Sequence, residues 1–391
     1  MIKQADGIAI ETLTTPVAGK LIHAHCSTIV AFHDGELVAA WYWAVKEANI
    51  DEEIYISRHL PREASWSPPE PWGLKSRIMF DGNPVLWIAP DTGILHMFYN
   101  AGWGWSMVFA KHKTSKDRGR TWKDERNIYP FLSRGVKNPP ILTSKGTYVL
   151  PAYVEFKFLR GVFFISSDKG RSWTQSTFVD LDPGIIPGGY EAKKGRQVEQ
   201  PAVIERRDGT LLAFFRNDGK PMRKMLESTS SDGGFTWSAA RNGSLPNPAG
   251  GFHVLRLASG NIAAIYNHAP SPGNDQKWRN PLSVALSEDD GATWSWRRNL
   301  LEFHLDATGG DAGGSNERDP GTEPKPEPEP ETFEYPTMTQ GHDGKIHATW
   351  SRSHVVSVNG TLQRVTDIQY TSLNEAWVKE RRFFEDAWES S

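Results

Sequence analysis

The chain has 391 residues, a formal net charge of −3 and a single cysteine, Cys26. With no basic stripe, nucleic acid is not an expected partner, and one thiol builds neither an intrachain disulfide nor a thiolate metal cluster. The 35 Gly, 26 Pro and 16 Trp, set among many short apolar runs, fit one large all-β domain over 1–391 rather than several mixed ones.

The opening residues, MIKQADGIAIETL, hold no long apolar run, so no signal peptide or membrane span is visible. A cytoplasmic protein and a trimmed secreted one read alike here, and the oligomeric state stays open. Ile8 to Leu13 read as a strand that joins the last sheet and closes a ring. The first strand–turn–strand unit is HCSTIVAFHDGELVAAWYW from His25. His23 and His25, two apart on a strand, face the same side. His25 is a candidate catalytic group; no Asp, Glu or Cys at metal-ligand spacing accompanies the pair, so neither a metal nor another cofactor is expected. The loop VKEANIDEE that follows carries two candidate acids, Glu47 and Asp51.

The second unit is NPVLWIAPDTGILHMFY from Asn83. After it, NAGWGWSM places Trp103 and Trp105 in a Gly-rich loop, where exposed rings stack on sugar faces; Trp103 is the substrate-binding candidate. The third, NPPILTSKGTYVLPAY from Asn138, brings Asn138 toward a central funnel and Lys137 as a further cation. The fourth, QPAVIERRDGTLLAFFR from Gln200, has Glu199 before it and Arg216 at its end. The fifth is GGFHVLRLASGNIAAIYN from Gly250, with Arg279 ahead of NPLSVALS. Residues 306–333, including GTEPKPEPEPETF, form an acidic Pro/Gly-rich insertion that packs no core. The sixth unit, YPTMTQGHDGKIHATWS, opens on Tyr335.

Four of the units end in one pattern: SKDRGRTW (from Ser115), SSDKGRSW (from Ser166), SSDGGFTW (from Ser230) and SEDDGATW (from Ser287). Their aspartates, Asp117, Asp168, Asp232 and Asp289, lie 51, 64 and 57 residues apart, a repeat period. The pattern is a hairpin clasp: Asp and Ser side chains accept from turn amides, Gly supplies positive φ, and Trp fills a core. Looser clasps are SRHLPREASW (from Ser57) and TSLNEAW (from Thr371). Small antiparallel sheets that cannot each bury a core pack radially, which predicts a six-bladed β-propeller of four-stranded blades. Seven blades remain open, although no clasp for a seventh unit is visible in the sequence.

From about His23 to Trp377 the chain resembles the sialidase superfamily, whose propellers carry such clasps, called Asp-boxes or BNR repeats. The resemblance implies a glycan-cleaving site at the propeller axis, opposite the clasps. There Tyr335 would be the nucleophile, Glu199 its base, Arg216 and Arg279 carboxylate-binding guanidiniums, and Asp51 or Glu47 the acid. Where the family has an Arg-Ile-Pro motif, this chain has HAHCSTI, so the clamp lacks its first arginine.

Two forked guanidiniums beside a Tyr–Glu pair suit an anionic sugar, and the carboxylate assists the phenol as a general base. The expected partner is an acidic oligosaccharide or glycoconjugate, of sialic or uronic acid type, and the expected reaction is hydrolysis at a terminal glycosidic bond. Two other readings are open: β-elimination from a uronate, with Tyr335, His23 or His25 removing the proton, and a glycan-binding propeller without chemistry.

Overall fold

Each clasp is held by its own side chains. In the computed structural model, described for residues 2–14, 23–73, 76, 78–156, 159–185, 198–217, 224–269, 279–303, 331–358 and 361–380, the Asp289 carboxylate accepts from Thr293 N at 2.8 Å and Thr293 Oγ1 at 2.6 Å. Ser287 Oγ donates to Asp289 at 2.8 Å and accepts from Gly291 N at 2.9 Å. The same bonds recur around Asp117, Asp168 and Asp232. The turn is tighter than the pattern suggests. The glycine is left-handed, as expected, but so is the residue before it: Arg118 and Lys169 at φ 62°, Asp290 at 60° and Gly233 at 81°.

The strands group into five hydrogen-bonded sheets, not six or seven separate ones. Four are blade-sized antiparallel meanders. Two of these have four strands, beginning with Phe80–Ile88 and Val198–Glu205, and two have five. The fifth sheet has eight strands and runs from Thr332–Gln340 through Thr361–Leu373 to His23–Ala31 and outward to Glu70–Pro71. Its midline is a parallel contact of one residue pair, Thr366 with His23, whereas every other pairing in it is antiparallel. Among the described residues the only α-helix is Glu375–Lys379. The loose clasp at Thr371 is that helix turn, because Asn374 Oδ1 caps Trp377 N at 2.8 Å.

Apolar clusters lie between neighbouring strand sets, so the sheets stand face to face around an axis. One joins Ile204 and Phe214 to Ile262 and Ala285 around Trp294; another joins Trp41 and Ile29 to Ile368 and Tyr370 across the parallel contact. The N-terminal segment stitches two sheets: Ile2–Gln4 pairs with Trp296–Phe303, and Ile10–Thr12 with Thr361–Leu373, as expected for residues 8–13. Of the insertion expected at 306–333, residues 306–330 lie outside the described residues. Thr332 and Phe333 already belong to a strand and pair with Ser353 and Arg352, so that boundary moves earlier.

One backbone device aims side chains at the axis. Four inner strands carry a register shift near their N-terminal ends, at 25–28, 82–85, 199–202 and 334–337. In each, one non-glycine residue is left-handed: Cys26 (φ 53°), Asn83 (46°), Gln200 (47°) and Tyr335 (48°). A β-bulge bends the strand and re-aims its side chains. Proline follows three of the four, where its missing N–H costs no ladder bond. In the second, fourth and sixth units the polar-residue–Pro opening therefore coincides with a bulge, whereas Asn138, which opens the third, is not left-handed.

Candidate active site at the mouth of the propeller axis

Glu199 pairs with Arg216 at one end of its sheet, while Leu211 pairs with the clasp residue Ser230 at the other. The bulges thus lie at the end away from the clasps, and there they line a cavity of about 600 Å³. His25, Cys26, Asn83, Glu199, Gln200, Glu334 and Tyr335 all reach it from bulges, and Arg216 and Arg279 reach it from adjoining strand ends.

Tyr335 is the hub. Its Oη accepts from Arg216 Nη1 at 2.8 Å and from Gln200 Nε2 at 3.4 Å. Arg216 Nε lies 3.3 Å from Glu199 Oε1, so one guanidinium links carboxylate and phenol. Arg279 stands on the other flank, 3.1 Å from Glu334 and with its Nη2 on Ala249 O at 3.1 Å. Its Nε is buried without a hydrogen-bond partner. The His25 ring packs edge-on against Tyr335 at 4.6 Å, and its Nε2 is 3.6 Å from Glu334.

Burial sets the protonation states. It pushes the Tyr335 phenol well above its ordinary value, against the pull of Arg216 and Arg279. It pushes His25 well below, helped by His23, so this imidazole is neutral. Burial also opposes ionisation of Glu334, but Arg279, with a hydrogen bond from Thr332, overcomes it and holds the carboxyl at about 2.

Of the ten candidates named from sequence, Tyr335, Glu199, Arg216, Arg279, His25 and Glu47 line the cavity, and four do not. Asp51 is taken by the backbone: its Oδ2 accepts from Val45 N at 2.8 Å and pins the loop that presents Glu47. Trp103 is 52% exposed and outside the cavity; the turn closed by Met107 N on Gly104 O sends Trp105 inward instead, onto Phe80 at 5.3 Å. Asn138 is a brace, its amide donating to Gln200 O and Pro201 O at 3.3 and 2.9 Å. Lys137 is buried outside the cavity lining, and its Nζ donates to Pro336 O at 3.1 Å, tying the third unit to the sixth. Burial brings its pKa down to about 8.

Residues that sequence reasoning passed over include Glu334, Gln200 and Arg364. The first two had a signal, since each adjoins an x-Pro step. Arg364 had none; it reaches the cavity from within the long Ile346–Val358/Thr361–Leu373 hairpin, with its Nε on Ser353 Oγ at 2.8 Å. The carboxylate partner that spacing did not show for the two histidines is Glu47. One nitrogen of each imidazole and a Glu47 oxygen lie within 4.8 Å of one another.

The match to known families covers most of the ring, residues 35–348. The chain belongs to the BNR repeat-like domain family. Its fold is that of the sialidases, as the clasps implied. It aligns with the NanB sialidase of Streptococcus pneumoniae at TM-score 0.66 and 10% identity, over 94% of this chain and 71% of that one. The intramolecular trans-sialidase of Ruminococcus gnavus aligns at TM-score 0.61 and 13% identity, over 91% and 95%. A Dyadobacter fermentans protein described as of unknown function aligns at TM-score 0.65 and 15% identity, over 95% and 99%. No curated protein matches the sequence.

Proposed function

We propose that this BNR-repeat protein is a glycoside hydrolase that cleaves a terminal bond at an acidic sugar, sialic or uronic, of an oligosaccharide or glycoconjugate. The carrying observation is the 2.8 Å contact of Arg216 with the Tyr335 hydroxyl, in one cavity with Arg279 and Glu199. Arg216 and Arg279 hold the sugar carboxylate. Tyr335 Oη attacks the anomeric carbon and its proton passes to Glu199. The C–O bond to the leaving group breaks, and Glu47, the first-unit acid that lines the cavity, protonates the departing oxygen. Water then releases the sugar from Tyr335. A phenol raised by burial is a weak nucleophile, and Arg216 offsets this by stabilising the developing phenolate.

Support comes from the sialidase fold of the solved neighbours, one of them determined with oseltamivir carboxylate bound. On this reading the eight-stranded sheet is two blades meeting at the Thr366–His23 contact, which makes six. A crystal structure with a continuous ladder at that seam would remove the sixth blade.

The test is release of fluorophore from aryl sialosides and aryl uronides. Tyr335→Phe is expected to lose at least about 10³-fold in kcat. Arg279→Ala is expected to lose about 10–100-fold in kcat/KM, the size of a lost charge-assisted contact. An unsaturated uronate seen by ultraviolet absorbance would replace hydrolysis with elimination. Glycan binding without product would leave a lectin-like propeller.

A further inference from the structure

We infer that His23, His25 and Glu47 form a binding site for a divalent transition-metal ion of the zinc type, at the wall of the cavity. Two imidazoles and one carboxylate are a donor set that holds zinc with an open position. One donor atom from each residue lies within 4.8 Å of the others. Around a tetrahedral ion with bonds of about 2.0–2.1 Å, donor atoms stand about 3.3 Å apart. Closing onto an ion draws the three donors together, and Glu47, the exposed one of the three, has the most room to move.

The surroundings are arranged as a ligand shell requires. Each histidine has one nitrogen engaged and the other without a hydrogen-bond partner. His23 Nδ1 is 3.2 Å from Thr366 Oγ1, and its Nε2 is buried and unpartnered. His25 Nε2 is 3.6 Å from the Glu334 carboxylate, and its Nδ1 is buried and unpartnered in a side chain only 3% exposed. Ligating histidines characteristically hold their second nitrogen on a carboxylate or other acceptor, which fixes tautomer and ring orientation. The carboxylate is oriented too, since Tyr42 Oη donates to Glu47 Oε1 at 2.8 Å. The two rings stack at 4.9 Å between centroids, so both imidazoles stand at the same wall. Arg279, one of the cations lining the cavity, is paired with Glu334 at 3.1 Å, which tempers its repulsion of an ion.

The binding site stands on these contacts alone; its consequence for Glu47 rests on the hydrolase reading. Glu47 cannot be a metal ligand and a free acid at once, so a loaded ion takes the proton-donating role away from its carboxyl.

The experiment uses full-length, untagged protein stripped with chelator and titrated with Co²⁺, read by visible absorption, and with Zn²⁺, read by calorimetry. One ion per chain is expected, with cobalt bands bleached by zinc. Glu47→Gln and His23→Ala, both at side chains that are not fully buried, are expected to bind at least about 10-fold more weakly, with unchanged near-ultraviolet circular dichroism certifying the fold. No saturable binding, or wild-type affinity in both variants, overturns the site. Activity is scored separately: a protein that binds cobalt but cleaves no glycoside keeps the site and loses the hydrolase reading, and the converse holds.

Discussion

Tyr335 has room because Gly251 has no side chain. A Cβ built at Gly251 would lie 2.7 Å from Tyr335 Cδ1. This explains why the fifth unit opens on Gly-Gly instead of a polar residue and Pro. Gly251→Ala is expected to push the phenol off Arg216 and to lower kcat/KM about 100-fold, the effect of an ångström-scale misplacement. The check is the kinetics of the soluble variant; unaltered turnover would release Tyr335 from its role.

Lys137 gives a pH prediction. Its folded pKa of about 8 lies below the unfolded value of about 10.4. Between those two values the unfolded chain binds more protons, so this lysine's contribution to stability rises with pH through that window. Denaturant melts of wild type and Lys137→Met should therefore shift toward wild type as pH rises from about 8 to about 10. A pH-independent difference would mean that the ammonium is not buried.

At this scale x-Pro steps made Glu199 and Tyr335 legible, but the same signal also drew in Asn138 and Lys137, which brace the site from outside the cavity lining. The sequence was not legible where a turn chose between two equal candidates. Trp105 opens a 3₁₀ turn and Trp103 lies two residues before it, a difference that the Gly-rich sequence does not mark. Asp51 and Glu47 differ in which is consumed by a backbone amide.

The clasps set the stability of the individual sheets. Trp294 is buried among Phe214, Ala285 and their neighbours, so Trp294→Ala is expected to cost about 3–5 kcal/mol. Asp289→Ala removes acceptors for Thr293 and Ser287 at a mostly exposed turn and is expected to cost less, about 1–2 kcal/mol. Urea melts rank the two, and a clasp aspartate more costly than its tryptophan would reverse the account. The Asp168 carboxyl, which burial would raise but bonds from Ser172 and Ser166 hold at about 2, is depressed relative to an unfolded aspartate. Its stabilisation is present above pH about 4 and is lost as pH falls through 2. Pattern reading found the clasps because all their bonds are local. The bulges were invisible as bulges, since a left-handed Asn, Gln or Tyr has no glycine to mark it.

Across the whole molecule, a spacing of 51 to 64 residues between clasps was enough to give radial sheets, and the N-terminal strands stitch the ends of the chain into them. Counting sheets was harder, because the parallel Thr366–His23 contact joins strands from opposite ends of the chain. The same contact brings Thr366 to His23 and so shapes one wall of the cavity. Arg216, Arg279, Glu199 and Tyr335 are spread over more than 130 residues of sequence and meet only because the ring closes.

A crystal soaked with sialic acid, and another with glucuronic acid, tests that convergence most directly. The account predicts one of these sugars in the cavity, its carboxylate on Arg216 and Arg279 and its anomeric carbon facing Tyr335 Oη. A sugar bound elsewhere with this cavity empty, or a carboxylate turned away from both arginines, would contradict it.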